Sequence, residues 1–103
     1  MIHPIGDSTF QALGRALTGL SARQRAIADN VANLQTPGYT AQRVDFEGSL
    51  ASAWQSGGDV AGASIRTMAS QTPAGLNGNN VNLDEETLAA TETGLSYQLG
   101  VQA

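Results

Sequence analysis

A chain of 103 residues holds at most one domain, and its net charge of −4 leaves no dense cationic patch for nucleic acid. It has no cysteine and one histidine, which excludes disulfide frameworks, thiol chemistry and any nucleophile–base pair built on them. Of the 41% apolar residues 16 are alanines, and Leu, Ile, Val and Phe together number only 21, close to the roughly 20% below which chains tend not to fold alone.

Residues 1–7 read as a lead-in. Pro4 and Gly6 keep it from continuing into the helix that follows, and His3 reads as a solvated surface residue. This stretch lacks the basic region and apolar core of a signal peptide, and no run of about 18 apolar residues offers a membrane span. The composition therefore describes a soluble chain without lipid insertion, cytoplasmic unless exported by a route that uses no cleaved signal.

The chain is organised around Ser8 to Gln35. Phe10, Leu17, Gln24 and Val31 recur every seven residues, and Leu13, Leu20, Ile27 and Leu34 fall between them in alternating steps of three and four. A sustained 3.5-residue period marks a helix that packs along its length against other helices. Ser8 or Thr9 can cap it, with Asp7 near the positive end of its dipole. It should end at Gln35, because Thr36 precedes proline and Pro37-Gly38 reads as a turn. Gln24 lies in the seam itself, where a polar residue penalises wrong registers. Asn30 and Asn33 lie beside the seam and read as solvent-facing amides.

Phe46, Leu50 and Trp54 at i, i+4 and i+8 suggest one short amphipathic helix within Val44–Trp54, with Trp54 as a local anchor. Gln55 to Gly62 reads as a flexible loop, Ala63 to Met68 as a short strand around Ile65, and Thr72 to Asn80 as a turn-rich connector. The last element starts near Asn82, with Asn82 as cap and Glu85 at the third helical position. Asp84, Glu85 and Glu86 read as first-turn carboxylates favoured by the dipole. Leu88, Leu95 and Leu99 form a thinner apolar stripe. Arg15, Arg23 and Arg25 make the first helix basic and the last helix is acidic, so the two ends are complementary in charge.

The fold class expected is mainly α: a long N-terminal helix paired with a C-terminal helix in a coiled-coil-like hairpin, with an irregular middle. Residues 1–36 and 81–103 would form the helical assembly core, and 37–80 a small outer segment. The chain offers no phosphate-binding glycine loop and no calcium-loop order, so no enzyme activity, cofactor, metal or small-molecule substrate is expected. With few large apolar residues, these helices are expected to be completed by other chains.

One motif is specific. The run Ala32-Asn33-Leu34-Gln35-Thr36-Pro37-Gly38-Tyr39 resembles the shared N-terminal motif of the bacterial flagellar rod and hook axial proteins. Ala41, then Val44-Asp45-Phe46-Glu47, and later Gly78-Asn79-Asn80-Val81-Asn82-Leu83-Asp84-Glu85-Glu86 and Leu95-Ser96-Tyr97-Gln98, resemble the proximal (FlgB-type) branch of that family. The resemblance covers about half of the chain. Asn82 stands where the family has aspartate, and the family's helical tail continues further than Ala103. The resemblance implies a structural rod subunit of the basal body, exported by the flagellar type III apparatus into the periplasmic rod. Its implied partners are copies of itself, other rod proteins and the adaptor at the export gate. The competing reading is a small cytoplasmic adaptor that dimerises through its helical hairpin.

Overall fold

The computed structural model describes residues 5–102. In chain order they form α1 (Ile5–Ala32), β1 (Gln42–Asp45), α2 (Glu47–Ser56), a 3-10 turn (Val60–Gly62), β2 (Arg66–Ala69) and α3 (Leu83–Gln102). The molecule measures 61 × 25 × 14 Å. Its long dimension is an antiparallel hairpin of α1 and α3, in which Asn30 meets Glu86 at one end and Leu13 and Leu17 meet Gly100 at the other. The middle segment folds along α1.

The helical period sets α1, but both ends differ from the expected ones. The helix already runs at Ile5, so Gly6 lies inside it and Ser8 and Thr9 are not caps, while Asp7 does sit in the first turn. A glycine costs a helix only about 1 kcal/mol relative to alanine, which is too little to stop one. At the other end α1 stops at Ala32, not Gln35. The backbone then tightens, with Leu34 N–H bonding Val31 O at 3.2 Å and Thr36 N–H bonding Asn33 O at 3.1 Å. Such i→i−3 bonds are the usual way a last helical turn closes. His3 and Pro4 lie outside the described residues.

The core is small and joins α1 to the segment after it. Leu20 and Ala26 pack with Val44 and Phe46, fringed by Ala16, Leu50, Ile65 and Tyr97. Phe46 lies flat over Gly19, where a Cβ would come within 2.5 Å of the ring. That close approach explains a glycine in mid-helix. The expected short helix is present as α2, but its bounds and its apolar face differ from the expected ones. Val44 and Asp45 belong to β1, Phe46 precedes α2, and α2 itself buries no residue. Trp54 is half exposed on the rim of a groove with Ala12, Ala16 and Leu50, and does not anchor the fold.

The expected flexible loop at 55–62 is also corrected. Asp59 Oδ1 accepts the Gly62 N–H at 3.2 Å, forming the 3-10 turn, and Val60 is buried. Arg15 Nε donates to Ala63 O at 2.8 Å and holds this turn to α1. The strand expected over Ala63–Met68 is present but shifted, running from Arg66 to Ala69 and leaving Ile65 just before it. It pairs antiparallel with β1 in the register Gln42↔Ala69 to Asp45↔Arg66. Its four residues are all exposed, so it shields one edge of β1 and contributes little to the core.

Asn82 caps α3 as expected, its Oδ1 accepting the N–H groups of Asp84 at 2.9 Å and Glu85 at 3.2 Å. The reciprocal half of the capping box is missing, because the Glu85 carboxylate turns to Arg43 and Thr72. The two helices also make no use of their opposite charge in the way expected. Arg15 and Arg23 turn to the middle segment, and the carboxylates at the start of α3 are met by Arg43 of β1.

Candidate functional site: a polar clamp and an outward leucine stripe

The two motifs, residues 32–39 and 78–86, lie far apart in sequence and meet in space. Thr36-Pro37-Gly38-Tyr39 forms a turn closed by Tyr39 N–H to Thr36 O at 3.2 Å, with Gly38 at φ +75°. Proline before a positive-φ glycine is the type II arrangement. The connector grips this turn from below. Gly38 N–H donates to Asn77 O at 2.9 Å and Asn80 N–H to Tyr39 O at 3.3 Å. Asn79 Nδ2 donates to the carbonyls of Asn33 at 2.9 Å and Thr36 at 2.8 Å, giving each a second donor beside the backbone N–H that closes the chain just past α1. Asn80 Oδ1 takes the Ala41 N–H at 2.6 Å, and its amide donates to Ser70 O and Thr72 O.

Replacing Gly38 with valine puts a β-branched side chain at φ +75°, a conformation that costs an ordinary L-residue about 1–2 kcal/mol and a branched one more. The expected result is a lower urea midpoint, together with faster exchange of the backbone amides of residue 38 and Asn80, measured by NMR. Unchanged exchange would mean that the turn is not held in this form.

Inside the clamp lies a charged centre. Asn30 and Glu86 are both 0% exposed. Asn30 Nδ2 donates to Glu86 Oε1 at 2.9 Å and to Gln42 O at 3.0 Å, while its Oδ1 accepts from Gln42 N–H at 2.8 Å and from the Tyr39 hydroxyl at 3.3 Å. Arg43 donates to the other Glu86 oxygen at 3.0 Å and to Glu85 at 3.1 Å. A buried carboxylate needs such partners, since an unpaired one costs several kcal/mol. Burial, then the nearby carboxylates of Asp29 and Glu86, hold the Tyr39 hydroxyl above its ordinary pKa. A second pair braces the core. Arg23 is bidentate to Glu47, bonds Val44 O at 2.6 Å and lies 5.0 Å over the Phe46 ring. Its hydrogen bond to Glu47 holds that carboxyl below the ordinary glutamate value.

The seam residues divide. Leu20 and Ile27 are buried, Leu13, Leu17 and Leu34 are half-buried, and Phe10, Gln24 and Val31 are exposed. Of the motif, Asn33 and Tyr39 are half-buried, and Ala32, Thr36, Pro37 and Gly38 lie at the surface. On α3 the leucines do not face α1. Leu88, Leu95 and Leu99 are 60%, 58% and 69% exposed. Glu86, Ala89, Thr93, Ser96 and Gly100 turn toward α1 instead, at steps of three and four. Sequence reading missed Asn30, Arg43, Asn79, Asn80 and Glu86 as one unit. It placed Asn30 in solvent and gave Glu86 only a role at the helix dipole. All but Asn30 and Arg43 lie inside the second motif, which was the available signal.

The profile of the family described as "Flagella basal body rod protein" matches residues 10–40, from the first seam residue of α1 through the type II turn. The "Flagellar basal body rod protein FlgB" of Escherichia coli K12 is 30% identical over 117 aligned residues, covering 94% of this chain and 85% of the relative. The chain belongs to the FlgB family of flagellar basal body rod proteins. FlgB of Salmonella typhimurium LT2 is 29% identical, with 92% and 83% covered, and FlgB of Bacillus subtilis 168 is 29% identical, with 93% and 84% covered. FlgB proteins are structural and not enzymes, so this chain is a subunit of the basal body rod. Membership implies assembly with other rod components. It decides between the rod and the cytoplasmic adaptor in favour of the rod.

Proposed function

We propose that the stripe Leu88, Leu95 and Leu99 is the surface that neighbouring subunits cover when the rod forms, with the exposed Phe10 and Val31 of α1 extending the seam. The observation that carries this is the exposure of three leucines on one face of a helix whose opposite side, with buried Glu86 and Thr93, already packs on α1. At 100° per residue they fall within about 40° of one another around the axis. Burying a leucine yields about 1.5–3 kcal/mol gross, so leaving three in water favours association strongly. In this reading residues 1–36 and 81–103 are the assembly core. Residues 37–80 lie outside, and Val44 and Phe46 from that segment brace the hairpin.

The partners are other copies of this chain, other rod proteins and the adaptor at the rod base, with transport through the flagellar export apparatus before assembly. A small core suits that route, because a chain held by few large side chains opens readily for passage and orders again on incorporation. The test is Leu88→Ser, Leu95→Ser and Leu99→Ser together, expressed in a motile strain in place of the native chain. Exposed substitutions change stability by about 0.5 kcal/mol or less each, so the helical spectrum and urea midpoint should hardly move. Motility and rod formation should be lost. Normal swimming, or a chain that no longer folds, would refute the assignment.

A further inference from the structure

α3 presents the wrong face by the measure of hydrophobicity alone. Rolling it by about 120° about its axis would carry Leu88, Leu95 and Leu99 onto Leu13, Leu17, Leu20 and Ile27 of α1. That hairpin would bury more apolar area and leave no adhesive stripe. In the observed rotation the inward positions are small or polar, and Gly100 comes so close that a Cβ there would stand 2.9 Å from Leu17 Cδ2.

We propose that Glu86 is a positioning residue that selects this rotation, so that the leucine stripe stays outward. Its carboxylate is 0% exposed and held from two directions, by Asn30 of α1 and by Arg43 of β1. Rolling α3 would withdraw it from both. Asn30, itself fully buried, would lose an acceptor, and Arg43 would lose its bond to Glu86 Oε2. Leaving buried polar groups unpaired opposes the apolar gain, and a single buried polar contact is known to fix register in coiled coils at a cost in stability. The network thus works against self-closure of the hairpin. The biological consequence rests on the reading of the leucines as the assembly surface, but the rotation itself can be measured without it.

The chain has no cysteine, so disulfide trapping can be done in the full chain. Leu17→Cys with Gly100→Cys reports the observed rotation, and Leu17→Cys with Leu99→Cys reports the rolled one. Each pair is placed in the parent, in Glu86→Gln, and in a triple variant that replaces the network with apolar groups, Asn30→Leu, Arg43→Met and Glu86→Leu. Under mild oxidation the 17–100 bridge should exceed the 17–99 bridge by about tenfold or more in the parent. Glu86→Gln keeps the bond to Asn30 and should retain the preference. In the triple variant the ratio should fall by about tenfold or more. An unchanged ratio would overturn the proposal, and so would loss of helix in the triple variant, because the network would then hold the fold rather than choose a rotation. Motility of the triple variant without added cysteines is read separately. Swimming in spite of a shifted ratio would sink the leucine-surface reading and leave the rotational lock standing.

Discussion

Phe46→Ala should abolish the folded subunit. Phe46 is 3% exposed, its ring fills the space over Gly19, and Arg23 lies over the ring. Truncating a core phenylalanine to alanine costs about 3–5 kcal/mol. A domain of this length has a total stability of only about 5–15 kcal/mol, and a chain whose central cluster holds four buried residues, one of them an alanine, belongs at the low end. Circular dichroism at 222 nm with urea should show a transition shifted to the foot of the titration or no transition at all. The same contact can be tested from the other side. Gly19→Ala gains about 1 kcal/mol of helix propensity but forces the ring away, and overpacking costs about 1–3 kcal/mol, so the net effect should be a loss. A stabilised Gly19→Ala chain would show that the ring does not lie where the structure puts it.

Asn30→Ala should be the second large effect, and Asn33→Ala its control. Asn30 joins α1, the start of β1, Tyr39 and α3 through one amide. Removing it leaves the Gln42 N–H and one oxygen of the buried Glu86 without that partner, a loss of about 3–5 kcal/mol by analogy with other broken buried networks. Asn33, three residues on, is half-buried, and its side-chain amide makes only local bonds, to Asp29 O and from the Thr36 hydroxyl. Its truncation should cost about 1 kcal/mol or less. Urea midpoints would compare the two, and hydrogen exchange at Gln42 should rise only in Asn30→Ala. Equal effects at both asparagines would refute the clamp.

That comparison also shows where sequence reading ended. Asn30 and Asn33 are the same residue type beside the same seam, and nothing along the chain separates them. Only the return of residues 77–86 to the end of α1 buries Asn30 completely and leaves Asn33 half-buried. The features that sequence alone determined are local ones: the 3.5-residue period that makes α1, the Pro37-Gly38 turn, the Asn82 cap, and the family resemblance carried by residues around them. Each depends on neighbours within a few positions, so backbone propensity and short hydrogen bonds decide it. Tertiary structure alone decided which face of α3 turns inward. Periodicity marks Leu88, Leu95 and Leu99 as one apolar face but cannot say whether that face meets its own chain or another. The choice falls to Glu86, Asn30, Arg43 and Gly100, four residues from three elements, because buried polar groups must keep their partners and Leu13 and Leu17 of α1 leave no room for a side chain at position 100.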